Sequence, residues 1–570
     1  MRTIDWIVLS SFLLFVVVYG IWKTRGKKDI RDYFLANRST PWYTVTLSIM
    51  ATQASAITFL STPGQAYVDG MRFVQFYLGL PIAMIILSIT AVPLYHRLNV
   101  YTAYEYLEQR FDLKNRVLGS FLFLIQRGLA AGFTIFAPAL IISVLLGWDI
   151  RLTIVLLGGM VILYTASGGT DAVNKTHLLQ MSIMMLGMFT VLIMIFRLLP
   201  QDISITDAAR VAGKMGKLNA ITFSFDWKDR YNFWSGIIGG AFLALSYFGT
   251  DQSQVQRYLS GSSIAQSRMG LLANGILKIP MQFLILFIGA MVFVFFQFVT
   301  PPLFFNSVET AKVEKSPYAA EYRGLEREYG QVHEEKQHRI REVLTAIKTG
   351  NEPELQDAVR KLDVSGASAS GIRDEASNLI RKANPGADSN DTNYIFLSFV
   401  ISYLPAGLIG LILAAILSAS MSSTSAELNA LASTTVIDVY KRMVKKNASE
   451  RHYLLISKLA TVFWGIYAIA FAMFANRLGS LIEAVNILGS LFYGTILGIF
   501  LIAFYLKKVC GNASFFAAII AEIVVIALFV FTEVPYLWYN VIGCVTLVIA
   551  AIVMNPLFTA KKTEGIIEEK

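Results

Sequence analysis

The hydropathy pattern of the chain is a series of long apolar runs separated by short charged loops. A helix rises 1.5 Å per residue, so roughly 20 apolar residues cross a bilayer. By that rule thirteen spans are expected, at about 4–22, 42–67, 73–95, 117–146, 152–166, 176–199, 233–250, 270–299, 405–437, 454–474, 479–506, 514–531 and 536–555. A long polar interval, 303–393, separates the eighth and ninth. In it Tyr322, Leu325, Tyr329, Val332, Ile340, Val343 and Ile347 recur at three- and four-residue spacing. That period predicts an amphipathic helix or helical hairpin, ended by Gly350 and followed by a Gly/Ser-rich turn near Ser365–Gly371. The interval reads as a solvated cap, with a partner-binding role as the other reading. Asn390-Asp391-Thr392 fits a glycosylation triplet. Segment 394–404 is apolar but short and is followed by Pro405, so it is expected to lie on the outer surface.

One span differs from the rest. Leu413 to Asp438 opens as a lipid-compatible helix and then presents Ser418, Ser420, Ser422, Ser423, Thr424 and Ser425. Small hydroxyl residues let membrane helices approach and hydrogen-bond, so close packing is one reading. Oxygen ligands facing an ion are the other. The second span, SIMATQASAITFLSTPG, is also dense in small and polar residues, with Thr52, Gln53, Ser55 and Thr58. Counted from the span ends, Ser55 and the Ser422–Ser423 pair fall near the bilayer centre. Two such spans meeting at mid-membrane are what transporters built from broken helices show.

Composition agrees with this pattern. The chain has 570 residues, 55% hydrophobic and 15% charged, against about 25% charged in soluble domains, and reads as a polytopic membrane protein. Met1 to Trp22 is too long an apolar run, without a basic leader or cleavage site, for a removed signal, and is expected to be a first membrane helix. Cys510 and Cys544 form no framework. The net charge of +10 needs no nucleic-acid partner, because basic residues gather at the inner ends of membrane helices. Lys23, Arg25, Lys27, Lys28, Arg31 and Arg38, then Lys441, Arg442, Lys445, Lys446 and Arg451, then Lys507 and Lys508, share one side in this count. A protein of the cell membrane with its N-terminus outside and its C-terminal tail inside is expected. No zinc spacing, P-loop, dinucleotide fingerprint or nucleophile–base pair supports an enzyme.

Among the ionisable residues in or near spans, four are singled out. Arg127 lies about ten residues into its span, where a guanidinium is costly and by default functional. A substrate carboxylate would pair with it in bidentate fashion; an internal pair with an aspartate or a carbonyl cluster is the other reading. Glu522 is expected to make an interhelical hydrogen bond as a neutral acid, and Lys278 and Glu483 to reach the interface.

Four motifs together resemble the sodium/solute symporter family. Asp32-Tyr33-Phe34-Leu35-Ala36-Asn37-Arg38-Ser39 before Pro41-Trp42 is similar to the entry to its first core helix, and Tyr104-Glu105-Tyr106-Leu107-Glu108-Gln109-Arg110-Phe111 to the loop after its second. Asp251-Gln252-Ser253-Gln254-Val255-Gln256-Arg257-Tyr258-Leu259 resembles the segment after its sixth, and the serine stretch with Asn429 and Asp438 its eighth. The match spans about 1–300 and 394–556 and leaves out the loop 303–393.

The resemblance implies an all-α LeuT-type fold of two inverted five-helix repeats. The leading helix would be 1–22, the repeats 42–199 and 233–506 with 303–393 inserted, two further helices 514–556, and a tail 557–570. It implies a sodium ion held by the carbonyls of Ala51, Ala54 and Ala419 and the hydroxyls of Ser422 and Ser423. Members with a second sodium carry an aspartate where this chain has His177, so a single sodium is expected. The second core helix resembles the iodide, monocarboxylate and vitamin branch more than the sodium/galactose member, whose polar sugar contacts are replaced here by Thr58 and Tyr77. Members that carry sialic acid use an arginine within a turn of Arg127. Gln53, Phe73, Phe76, Tyr77, Ser246 and Tyr247 would line the cavity. The implied function is a sodium-coupled symporter of a small organic solute, with a carboxylate as the candidate that Arg127 suggests. A sugar symporter, a proton-coupled carrier and a ligand-sensing transceptor remain as alternatives.

Overall fold

The computed structural model describes residues 2–24, 38–475 and 480–567, and within these the side chains of 16–17, 19–24, 164, 167–179 and 559–567 lie outside the description. The described chain is helical, with an isolated bridge between Thr40 and Gly261 as its β-type contact. Among the described residues nine helices are long and apolar enough to cross a membrane, and three shorter apolar helices join them. They cover the expected spans without a one-to-one match. The stretch Ala56–Leu98 holds the later part of the second expected span and all of the third, and turns at Gly70, whose φ of 74° suits glycine. The helix Ile150–Leu198 likewise runs through two spans in 49 residues.

The elements used below are α1 Thr3–Thr24, α2 Trp42–Gln53, α3 Ala56–Asp69, α4 Leu80–Ile89, α5 Tyr104–Arg110, α6 Leu113–Leu146, α7 Ile150–Leu198, α8 Gly240–Gly249, α9 Gln252–Leu259, α10 Ile264–Phe298, α11 Ala319–Thr349, α12 Glu352–Ala383, α13 Thr392–Tyr403, α14 Leu408–Thr434, α15 Glu450–Ala472, α16 Leu481–Tyr505, α17 Gly511–Phe531 and α18 Tyr536–Ile567. Two helices are broken near their middles. Between α2 and α3, Ala54 (ψ 67°) and Ser55 (ψ 175°) leave the helical region. The carbonyls just before the break thereby lose their next-turn donors. Between α8 and α9 stand Thr250 and Asp251, and the Asp251 carboxylate caps α9 by accepting from the Ser253 N–H at 2.9 Å. The α14 helix packs against α2, α3, α6 and α7, and is buried along nearly its whole length.

The ends of α16 orient the bundle. The Leu481 N–H donates to Asn393, beside the insertion, while the Ala503 carbonyl accepts from Tyr106 in α5. Arg110 donates to the carbonyls of Leu506 and Val509, and Arg442 pairs with Glu108. The α5 loop, Arg442 and residues 506–509 therefore share the side opposite the insertion. Glu483 lies on the insertion side, held by Arg230 and the Tyr231 hydroxyl.

One expectation for the insertion is corrected. The insertion is a hairpin of α11 and α12 that turns at Gly350, φ 70°, but no turn follows at Ser365–Gly371. That stretch is inside α12, where Ser365, Ala369, Ile372, Ala376 and Leu379 form a buried stripe. Small residues at helical spacing permit close packing here, and tertiary burial overrides their weak helix propensity. Segment 394–404 forms a helix on the insertion side, and its apolar face is covered by the bundle. In α13, Ile395, Phe396, Leu397, Phe399 and Val400 are buried against α3. Only glycine at position 64 permits that approach, since a Cβ there would lie 2.0 Å from the Thr392 carbonyl oxygen.

Candidate functional site

The serine stretch meets the first break. The Ser423 hydroxyl donates to the Ala51 carbonyl at 3.2 Å, and Thr58 donates to the Gln53 carbonyl at 3.1 Å. Ser422 is 3% exposed, and its hydroxyl has no hydrogen-bond partner among the described residues. An orphan hydroxyl beside freed carbonyls is costly unless something else uses those oxygens. Ala54 and Ala419 are also buried. The donor set is all neutral oxygen, which suits a hard monovalent cation rather than a transition metal. The other hydroxyls of the stretch divide into two groups. Ser420 and Thr424 bond to Thr134 in α6 and Ser418 to the Ala415 carbonyl, which is the packing role, while Ser425 and both side-chain polar atoms of Asn429 are buried without partners among the described residues.

Next to the break lies a cavity of about 120 Å³. Gln53, Thr58, Phe76, Tyr77, Arg127 and Tyr247 line it. Phe73 and Ser246 do not: Phe73 stacks behind Phe76 at 5.5 Å, and Ser246 donates to the Tyr493 carbonyl at 2.7 Å. Each supports a lining residue without reaching the space.

Arg127 is the centre of a buried ionic network. It pairs with Glu427 of α14 at 3.0 Å and with Asp251 at the second break, and it donates to the Tyr493 hydroxyl at 2.7 Å. Tyr493 donates to Asp251 at 3.1 Å, and Thr134 to Glu427 at 2.9 Å. The internal-pair reading of Arg127 is therefore the one present, with two carboxylates on one guanidinium. Neither Glu427 nor Tyr493 was singled out from sequence, and Asp251 only as part of a motif. The available signal was the rule that an intramembrane cation needs a partner.

Lys278 overturns its own expectation. It does not reach an interface: it is 1% exposed, lines the cavity and stands 5.7 Å over the Tyr77 ring. Among the described residues it has no ion pair. Glu522 is half-buried and its carboxyl faces the Thr495 hydroxyl of α16, the interhelical partner that the expectation calls for. His177 falls within 167–179, outside the described side chains.

Comparison with known proteins places this geometry. The profile of the family described as "Sodium:solute symporter family" matches residues 33–315 and 376–522, well over half of the chain. The chain belongs to that family. It is a sodium-coupled solute symporter, a transporter and not an enzyme. The sodium/sialic acid symporter NanT of Aliivibrio fischeri is 26% identical over 574 residues, covering 100% of this chain and 96% of that protein. The sodium/sialic acid symporter SiaT of Proteus mirabilis is 25% identical, covering 98% and 96%. The human sodium/iodide cotransporter is 31% identical over 277 residues, covering 47% of this chain and 42% of that protein. A solved structure of a Na+-coupled sialic acid symporter, substrate-bound and outward-open, aligns over 98% of both chains with a TM-score of 0.73 at 23% identity. The symporter is thus an all-helical polytopic membrane protein with a LeuT-like fold. The match to the iodide and monocarboxylate branch is higher in identity and shorter in extent than the match to the sialic acid symporters.

The family profile skips residues 316–375, the greater part of the α11–α12 hairpin. The symporter's two breaks, by contrast, fall inside the matched region, and with them Ser422, Ser423, Arg127, Asp251, Lys278 and Glu427. The cavity and the neutral-oxygen cluster share the α2–α3 break, because Thr52, Gln53 and Ser55 line the one while Ala51 and Ala54 flank the other.

Proposed function

We propose that this symporter moves one sodium ion together with a carboxylate-bearing solute of the sialic acid type. The observation that carries this reading is Lys278, a buried ammonium facing the cavity with no carboxylate of its own. Arg127 is already matched by Asp251 and Glu427. A solute carboxylate would meet Lys278, while Tyr77, Phe76 and Tyr247 present apolar faces and Gln53 and Thr58 present hydrogen-bonding groups. Two full-length relatives named as sodium/sialic acid symporters support the same solute class.

Sodium would sit among the Ala51, Ala54 and Ala419 carbonyls and the Ser422 and Ser423 hydroxyls. The coupling then has an electrostatic source. Sodium and solute add opposite charges to a low-dielectric site whose own cation–carboxylate network they leave undisturbed. Opposite unit charges at cavity separations attract by about 2–4 kcal/mol at an effective dielectric near 20. Each partner raises the other's affinity through that term, as linkage requires. A cavity of about 120 Å³ is below the ~300 Å³ at which ligand sites begin, so the present conformation is contracted. The Ser61–Ser480 contact at 3.3 Å, with the Ile482 N–H on Ser61, closes the insertion side. The Thr102–Asp438–Arg116 cluster closes the other. Rocking of the repeats would part these in turn. In the cell membrane, the insertion side would be outside.

The test is uptake of N-acetylneuraminate into proteoliposomes under a sodium gradient, compared with its uncharged methyl ester. Sodium-dependent uptake of the acid and little of the ester is expected. Equal uptake of both would remove the carboxylate from the reading, and an uncharged sugar as the better solute would favour the sugar alternative.

A further inference from the structure

The insertion side of the bundle holds a second cavity, about 720 Å³ in volume, between the α11–α12 hairpin and the ends of α3 and α10. The hairpin contributes His333, Lys336 and Arg373, and the bundle contributes Tyr67 and Phe293. Lys217, from the loop before α8, completes it. The Lys217 amine donates to the Val68 carbonyl and stands 4.5 Å over the Phe293 ring; Lys336 stands 5.8 Å over the same ring. Two ammonium groups therefore stand against one aromatic ring, and among the described residues neither has an ion pair. Their mutual repulsion opposes closing the hairpin onto the bundle, unless an anion lies between them.

The surrounding groups point the same way. Arg373 holds Asp391 at 2.7 Å, and Asp391 in turn accepts from the Phe305 N–H, so that carboxylate is already matched. Asp374 also lines the space but is exposed at its rim. His333 is 2% exposed, lines the cavity, and its Nε2 has no hydrogen-bond partner. In the tautomer that carries hydrogen on Nε2, it supplies a donor to an anion. Burial pushes both lysine amines down to about 8, with Lys217 and Arg373 adding to the effect at Lys336, so both remain largely charged at neutral pH. The chamber has the size of an ordinary ligand pocket, with aromatic walls and a few convergent donors.

We propose that this chamber is an anion-binding site built jointly by Lys217, Lys336 and His333, on the entry side of the symporter. Its ligand is a single negative group, either the carboxylate of a solute on its way to the central cavity or a free inorganic anion. The site itself does not rest on the reading of Lys278; only the solute source does.

The experiment uses the purified full-length protein and equilibrium binding of two radiolabelled probes, chloride and N-acetylneuraminate. Lys217→Gln/Lys336→Gln should weaken binding of at least one probe by about tenfold or more, the loss expected for charge-assisted contacts. Lys336→Arg should retain it, and Lys336→Gln alone, should the double variant not fold, should weaken it about threefold or more. Loss of one N-acetylneuraminate equivalent while a Lys278-dependent equivalent persists assigns the chamber to the solute. Loss of chloride binding alone assigns it to a free anion. Should Lys278→Met leave N-acetylneuraminate binding intact while the lysine pair still controls chloride, the central-cavity reading fails and this one stands. Folded lysine variants that bind both probes as wild type does would overturn the proposal.

Discussion

Arg127 and Glu427 meet at 3.0 Å in the middle of the bundle, 300 residues apart in the chain, and both are buried. With Asp251 as a second carboxylate on the same guanidinium, the cluster ties α6 and α14 to the second helix break. Removing one member leaves buried charge without a partner, which costs about 3–5 kcal/mol. Arg127→Ala should therefore lower the thermal unfolding temperature in detergent strongly, with or without sodium. Lys278→Met should leave it near wild type and reduce only solute uptake. An Arg127→Ala protein as stable as wild type would show that the network is not structural.

Ser422 and Ser423 offer a sharper contrast with Ser425. Deleting one oxygen ligand removes an interaction worth about 1–2 kcal/mol, or roughly a tenfold change in affinity. Ser422→Ala and Ser423→Ala should each raise the sodium concentration for half-maximal uptake by about that factor, with solute affinity at saturating sodium little changed. Ser425→Ala should leave sodium dependence unaltered if a single ion is used. Sodium activation curves for the three variants decide this, and a shift in Ser425→Ala would establish a second ion.

What was readable in the sequence follows from which signals are local. Six hydroxyls in an apolar span are a compositional anomaly, and the small polar run at 51–58 is another; depth counting alone brings them to one level, and the structure joins Ser423 to Ala51 there. The partners of Arg127 were not readable, because they lie 124 and 300 residues away and no period links them. Lys278 was misplaced for a geometric reason. Hydropathy starts its span at 270, but α10 begins at Ile264. Six extra residues add about 9 Å of helix, enough to move Lys278 from an end toward the middle. In the hairpin, Ser and Gly at 365–371 carry turn propensity, and only the facing helix α11 shows that their small size is used for packing.

A buried carboxylate stands among the contacts on the side opposite the insertion. Asp438 is fully buried, accepts from Thr102 at 2.7 Å and pairs with Arg116, which also reaches Glu108. Asp438→Asn keeps the shape and removes the charge, so Arg116 retains the partly exposed Glu108 and the Ile437 carbonyl. The closed arrangement should lose about 1–3 kcal/mol relative to one open on that side. A cysteine introduced at Ala244, which lines the cavity, should then react faster with a thiol reagent supplied from the Asp438 side. Unchanged reactivity would mean that this cluster stabilises the fold without gating it.

The loop after α12 gives a pH signature separate from transport. Burial pushes the Asp388 carboxyl up to about 7, the Asn390 N–H acts against it, and Asp391 and Glu309 add repulsion. An acid raised above its unfolded value near 4 binds more protons folded than unfolded between those two limits. Stability must then fall as pH rises from about 4 to 7 and level off above. Asp388→Asn stays neutral throughout, so it should remove this part of the slope and make the protein more stable than wild type at pH 8. Melting curves of the two proteins between pH 5 and 8 test this, and parallel slopes would show that Asp388 titrates normally.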